Sequence, residues 1–411
     1  MTKRSIETDL VHAGERQPLP QGLPNATPIF ANSTFGYESM EEADRVFSGD
    51  LKDYIYTRYG NPTVEALQES LRVLEGGAVA RAYASGMAAL HAALLASDLT
   101  TGSVVIASRD LYGASFDLLY KVFGAFGVKT QLVDFADLDD LRVKTAELKP
   151  RVLLAETISN PLLKVLDIEA VAEIAQSVGA KFVVDSTFAT PYLSRPLELG
   201  ADLVVHSATK YLGGNADATG GVVVARDIAD EPALTSAMKL AGGILSVWEA
   251  HSIARGIKTL ALRLDKQCAN AEKLAESLSK HPAIEKVYYP KFAADGVGEK
   301  VLRQDLYGAL LSIVLKDDTR EAAWAFMNSL ELVVRATTLG DVFTTVSHSA
   351  SSSHRELTEK RRNALGITEG LVRISVGIEN ADDLLADIEQ ALVRTGNGSD
   401  RIPGAEKGVS A

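Results

Sequence analysis

The sequence predicts an α/β fold, a largely parallel sheet covered by helices on both faces and followed by a smaller α/β domain, on three observations. From Val64 onward, short β-branched runs alternate with helical stretches, the pattern of strand, crossover and strand. Runs such as Gly221-Val-Val-Val-Ala225 are apolar throughout, as strands buried on both faces must be. A long helical region around Trp248–Ala275 then separates this alternation from a second set of strands and helices.

The elements follow in chain order. The first sixty or so residues, with Pro18, Pro20, Pro24, Pro28, Phe30, Phe35 and Tyr37, read as an extended arm that lies on something else. Helices are expected near Val64–Leu74, Gly86–Ala96, Ser115–Phe126 and Ile168–Val178. Strands are expected at Val104–Ala107, Val128–Val133, Arg151–Ala155, Lys181–Val184, Leu203–His206 and Gly221–Ala225. Beyond the long helical region, strands near Ile284–Tyr288, Ala309–Leu315 and Leu371–Val376 alternate with helices near Arg320–Leu330 and Ala381–Val393. The tail from Thr395, with Gly396, Gly398, Pro403, Gly404 and Gly408, reads as disordered. The domain expectation is therefore an arm over 1–60, a large domain over 61–250, a small domain over 251–395 and a tail over 396–411.

Charge and composition narrow the function classes. With 54 acidic against 42 basic residues and no block of lysine or arginine, the chain lacks the electrostatic footprint of a nucleic-acid or anionic-membrane binder. Its single cysteine, Cys268, excludes an internal disulfide and any multi-cysteine metal site. The N-terminus carries no signal-peptide core, and no apolar run approaches the roughly 20 residues needed to span a bilayer. A cytoplasmic protein is expected.

In an open α/β sheet, ligands collect at the carboxyl ends of the strands, which directs attention to Glu156, Asn160, Asp185, Ser207, Thr209 and Lys210. Lys210 closes His206-Ser-Ala-Thr-Lys210, and Asp185 ends Lys181-Phe-Val-Val-Asp185. A lysine and an aspartate on neighbouring strands can hold pyridoxal phosphate: the amine forms a Schiff base with the aldehyde, and the carboxylate pairs with the ring nitrogen. Tyr83-Ala-Ser-Gly-Met87 leads into a helix whose first N–H groups could hold the phosphate, with hydroxyls from Ser207 and Thr209. Tyr112 is placed to stack on a planar ring, and Arg373, among apolar neighbours, could clamp a carboxylate bidentately.

Taken singly, each residue has a plainer reading. A lysine after a strand is usually a solvated surface residue, Asp185 a turn former or cap, Ser-Gly a helix start, Tyr112 a packing residue and Arg373 a surface ion-pair partner. Their joint occurrence changes the odds. His348 and His354 are six residues apart, which matches no usual metal-ligand spacing, and no metal is expected.

Taken together, Tyr56-Thr-Arg-Tyr-Gly-Asn-Pro-Thr63, Leu74-Glu-Gly-Gly77, Ser85-Gly-Met-Ala88, Tyr112-Gly113, Glu156-Thr-Ile-Ser-Asn-Pro161, Val184-Asp-Ser-Thr-Phe188, Ser207-Ala-Thr-Lys-Tyr211, Leu339-Gly340 and Val372-Arg-Ile-Ser-Val-Gly377 resemble the pyridoxal-phosphate enzymes of cysteine and methionine metabolism. That family includes cystathionine γ-synthase, cystathionine γ-lyase, methionine γ-lyase and O-acetylhomoserine sulfhydrylase. The resemblance covers nearly the whole chain and implies the fold type I of PLP-dependent transferases, with a mostly parallel seven-stranded sheet in the large domain.

It further implies that Lys210 carries the cofactor, Asp185 pairs with its ring nitrogen, Tyr112 stacks on the ring and acts as acid or base, and Asn160 lies near the ring hydroxyl. Ser85, Gly86, Met87, Ser207 and Thr209 belong to the phosphate side. Tyr56 and Arg58 reach the phosphate from a neighbouring subunit in a homotetramer built from dimers. Tyr56, Asn160, Thr338 and Arg373 meet the amino-acid substrate, with Arg373 on its α-carboxylate. The implied activity is γ-replacement or γ-elimination on a sulfur-containing or O-acylated homoserine-type amino acid. The alternatives are methionine γ-lyase or O-acetylhomoserine sulfhydrylase activity or a specialised biosynthetic γ-substitution, and, further off, an aminotransferase or a binding-only protein. Several positions depart from the family's habit: Ala114 stands where methionine γ-lyases typically have cysteine, and Ser186, Asn215, Thr337, Thr338 and Phe343 also differ. Phe343 and Thr337 are expected on the substrate side.

Overall fold

The computed structural model describes residues 22, 24–355 and 357–396; the expected tail beyond 396 lies outside them, as does most of the arm up to residue 23. A seven-stranded sheet is built from β1 (Val79–Tyr83), β2 (Val104–Ser108), β3 (Lys129–Val133), β4 (Val152–Glu156), β5 (Lys181–Asp185), β6 (Leu203–Ser207) and β7 (Gly221–Ala225). Its order is β1-β7-β6-β5-β4-β2-β3. Strands β2 to β6 pair in parallel, and β7 runs antiparallel between β6 and β1.

Alternate side chains of these strands feed two separate cores. Ile106, Leu153, Phe182, Val204 and Val224 pack with Leu67, Leu71, Ile168 and Val171 on one face. Val105, Leu154, Val183, Val205 and Val223 pack with Leu90, Ala93, Leu119 and Leu234 on the other. Fully burying each such side chain contributes about 1.5–3 kcal/mol, which explains why these strands read as unbroken apolar runs.

The second sheet contains β8 (Ile284–Tyr288), β9 (Leu310–Leu315), β10 (Val334–Arg335), β11 (Thr345–His348) and β12 (Leu371–Ser375), in the order β10-β11-β12-β9-β8. All its pairings are antiparallel except β10 with β11. Arg373 sits at mid-strand in β12, between Ser347 of β11 and Ser312 of β9.

Several local expectations are corrected. Val79-Ala-Arg-Ala-Tyr83 forms a strand that its alanines and arginine concealed, and Thr345–His348 forms another. The helical region expected around Trp248–Ala275 is present, made of two helices, Val247–Ile257 and Leu260–Leu278, separated at Lys258-Thr259. A helix also interrupts the arm at Met40–Ser48, capped by Ser39 and closed by Gly49 in the left-handed region. Leu138–Leu148 and Glu231–Ala241 add helices to the large domain.

Candidate functional site

Parallel pairing brings the ends of β4, β5 and β6 side by side, with Glu156 in register with Asp185 and Asp185 with Val205. The open end of this sheet faces the second domain across a cavity of ≈ 560 Å³, lined by Ser85, Gly86, Met87, Tyr112, Asn160, Asp185, Ser207, Thr209, Lys210 and Arg373. Ten of the expected residues thus converge from six separate segments. Thr337 and Ser347 also line it, whereas Phe343 does not.

Lys210 lies on the turn after β6. Its Nζ has one long contact, to Thr338 Oγ1 at 3.4 Å. Burial, and then the nearby Arg373 cation, lower its pKa. Asp185 Oδ1 accepts from Thr187 N at 2.9 Å and from Thr187 Oγ1 at 2.5 Å. Burial raises the Asp185 pKa, and the Thr187 bonds and His206 oppose that rise. Behind it, His206 Nε2 meets Glu75 Oε1 at 2.6 Å with both side chains fully buried.

Arg373 is 4 % exposed, and burial lowers its pKa to about 10. Nη1 donates to Asn160 Oδ1 at 2.9 Å and Nη2 to Thr338 O at 3.2 Å, while Nε is buried without a partner. An orphaned donor on a buried cation is costly unless a ligand oxygen completes it.

The residues fit pyridoxal phosphate. Ser85 caps the helix Gly86–Leu95 by accepting from Ala88 N, and the preceding N–H groups of Gly86 and Met87 begin the helix, where backbone donors have no intrahelical acceptor. A Cβ at Gly86 would stand 2.6 Å from Ser207 Cβ, and one at Gly221 would stand 2.2 Å from Ser85 O. Both glycines therefore let the helix start, β6 and β7 close into a cradle that side chains would fill. Thr209 Oγ1 braces it through Gly220, accepting from its N at 3.0 Å.

Two residues to which the sequence assigned no role, Thr187 and Glu156, help to build it. Thr187 ties Asp185 to the next strand, since its Oγ1 also accepts from Ser207 N at 2.8 Å. Glu156, at the end of β4 as Asp185 is at the end of β5, accepts from Tyr112 N at 2.6 Å. Burial raises the Glu156 pKa well above the ordinary carboxylate value, Asp185 adds to the rise, and the backbone of Tyr112 and Asn160 opposes it. Its strand-end position was visible in the sequence; the link to Tyr112 was not. Glu156→Gln keeps the acceptor and stays neutral, so turnover is expected within about threefold of wild type. Glu156→Ala removes the acceptor of the Tyr112 N–H, a loss of about 0.5–1.5 kcal/mol that thermal melts would detect. Because a raised carboxyl pKa contributes stability at acid pH that is lost as pH rises through that pKa, the stability advantage of Glu156→Gln should grow with pH.

Tyr56 and Arg58 are not among the residues lining this cavity. Tyr56 is 39 % exposed, and Arg58 donates to Lys239 O at 3.1 Å and stacks over Tyr59 at 4.8 Å. His348 is tied to Ser351 and Glu369 O and His354 to Ser353, and no cluster of three or more metal-ligating side chains occurs among the described residues. No helix among the described residues is long and apolar enough to cross a membrane.

The family model for the Cys/Met metabolism PLP-dependent enzymes matches residues 7–393. The chain belongs to that family. It is 42% identical over 390 residues to an L-methionine gamma-lyase of Pseudomonas putida, covering 94% of this chain and 96% of the relative. A cystathionine beta-lyase of Lactococcus lactis subsp. cremoris is 38% identical over 392 residues, covering 94% and 99%. Among solved structures, a cystathionine gamma synthase from Xanthomonas oryzae pv. oryzae, in complex with aminoacrylate and cysteine, superposes with a TM-score of 0.85 at 36% identity, covering 90% of this chain and 94% of that one. Members of the Cys/Met metabolism family are pyridoxal-phosphate enzymes, so the chain is an enzyme and pyridoxal phosphate is its cofactor.

Proposed function

We propose that the enzyme eliminates or replaces the Cγ substituent of a sulfur-containing or O-acylated homoserine-type amino acid. The observation that carries this reading is the convergence of Lys210, Asp185 and Arg373 on one cavity. When bound, pyridoxal phosphate supplies an aldehyde that captures an amino group and a ring that withdraws electrons from the substrate's α and β carbons.

The chain's own residues supply the remaining functions. Lys210 is the point of covalent attachment. Once freed by the incoming amino group, its amine, less basic than an exposed lysine, takes a proton from Cα and delivers it elsewhere on the substrate. Asp185 holds a negative charge at the ring-nitrogen end of the cavity. Arg373 takes the α-carboxylate, with Asn160 Oδ1 and Thr338 O accepting from Nη1 and Nη2 to orient the guanidinium and leave Nε free to donate. Tyr112 covers the ring and moves protons at its hydroxyl. Gly86, Met87, Ser207 and Thr209 bind the phosphate. Tyr56 and Arg58 serve a neighbouring subunit's cavity, which makes the working unit a dimer and the assembly a pair of dimers in the cytoplasm.

Substrate choice is tested by incubating the purified protein with cystathionine, methionine, O-succinylhomoserine and O-acetylhomoserine, each with and without cysteine. Release of 2-oxobutanoate and ammonia is expected for elimination, and a thioether for replacement. With Ala114 offering no thiol beside Tyr112, methionine should be a poorer substrate than the activated homoserine esters. Stoichiometric amino-group transfer to a 2-oxo acid, without Cγ cleavage, would instead make the protein an aminotransferase.

A further inference from the structure

Behind Lys210 lies a carboxylate for which the chemistry above has no use. Asp341 is 1 % exposed, and neither of its oxygens has a hydrogen-bond partner of ordinary geometry; burial raises its pKa, and Lys210, the Ala216 backbone, the Thr338 hydroxyl and Arg263 oppose that rise. A charge so placed is costly unless it serves one nearby. Its backbone is pinned: Gln267 Nε2 donates to Asp341 O at 2.8 Å, and Gly340 N donates to Ser375 Oγ at 3.0 Å. Gly340 has φ +85°, and a Cβ there would stand 2.6 Å from Tyr211 N and 3.1 Å from Lys210 C. The turn holding Asp341 is therefore pressed directly against the backbone of Lys210, which only glycine at this position allows.

Three ionisable groups act on Asp341 or are acted on by it, and a fourth, Arg373, acts on Lys210. Lys210 and Tyr211 come from the turn after β6, Arg263 from the helix Leu260–Leu278, and Arg373 lies beyond Thr338 on β12. Arg263 places Nε on Thr259 Oγ1 at 3.1 Å and Nη2 on Gly256 O at 2.9 Å while its buried Nη1 has no partner, and its cation acts on Asp341 less strongly than Lys210 does. Thr338 stands between the carboxylate and the lysine, taking the Nζ contact on its hydroxyl and interacting with Asp341.

We propose that Asp341 is a positioning residue that supplies the counter-charge for Lys210 whenever that nitrogen carries a proton, acting through the hydroxyl of Thr338. The inference rests on the reading that Lys210 carries the cofactor. Arg373, needed for the substrate's carboxylate, disfavours a second cation nearby. Asp341 offsets that penalty, so Lys210 can accept a proton from substrate carbon and release it again within one buried site. No proton is gained or lost over the cycle.

The test uses the holoenzyme and reads a pH midpoint rather than turnover. The nitrogen of Lys210 linked to the cofactor titrates with a change in the visible band. Removing a nearby negative charge lowers the pKa of a cationic acid, so Asp341→Asn should move the midpoint down by about one pH unit, at the low end of what a neighbouring opposite charge produces. Asp341→Glu should restore part of the shift. Thr338→Val should move the midpoint in the same direction and by less, while Thr338→Ser leaves it in place. If Asp341→Asn does not accumulate as folded protein, the Thr338 pair gives the same reading. A coloured enzyme whose midpoint stays put in Asp341→Asn, or in Thr338→Val, overturns the proposal even if melting temperature or turnover falls. A wild-type protein that takes up no cofactor would instead remove the assignment of Lys210 on which it stands.

Discussion

Lys210→Ala is expected to yield a folded protein without the visible absorbance of covalently held cofactor and with turnover at background. The fold should survive because the side chain makes only one long contact, with Thr338. What is lost is the one amine suited to both attachment and proton transfer. Burial and Arg373 lower its pKa, which favours the neutral form that attacks an aldehyde. On the proposed reading, Gly86, Ser207, Asp185 and Tyr112 would still hold the phosphate and ring, so weak uptake measured by equilibrium dialysis should persist. Absorbance and product release therefore separate attachment from binding. Full turnover in Lys210→Ala would move the chemistry to another nitrogen.

The α/β class and most of the large sheet were legible because its strands are buried on both faces and leave unbroken apolar runs. β1 was not: it lies at the edge of the sheet, and its composition, Val79-Ala-Arg-Ala-Tyr83, is closer to that of a helix. Only pairing with β7 makes it a strand. The long helical region was legible as helical, but its division at Lys258 and Thr259 was not, because those residues bear no mark of a break. In the site, residues at strand ends announced themselves, since topology sends ligands there. Thr187, Asp341 and the link from Glu156 to Tyr112 did not, because each acts on a neighbour distant in sequence or through a side-chain bond that no motif encodes. Phe343, expected on the substrate side, lies outside the cavity lining, whereas Ser347 joins it through its place beside Arg373 in the strand register.

Asp185→Asn should leave cofactor attached and turnover reduced by about 10²–10³, the usual loss for one preorganised charge at a reacting centre. Asparagine has nearly the same shape, and its Oδ1 can still accept from Thr187 N and Oγ1, so the end of β5 keeps its geometry. It cannot offer a negative charge to the ring nitrogen, and the pull on substrate electrons weakens accordingly. Stability should move the other way. In the cofactor-free protein, burial raises the Asp185 pKa, with Thr187 and His206 opposing the rise. A carboxyl so raised contributes stability in full below its unfolded pKa, and that contribution is lost as pH rises through the folded value. As pH rises the stripped wild type therefore loses a contribution that Asp185→Asn, which does not ionise, keeps. Stripped Asp185→Asn should accordingly melt higher than stripped wild type at pH 7, with the gap closing toward pH 4. Chemical denaturation at the two pH values, alongside kcat of the reloaded enzymes, checks both halves. A variant that is no more stable and fully active would mean that Asp185 is a turn former whose charge the reaction does not use.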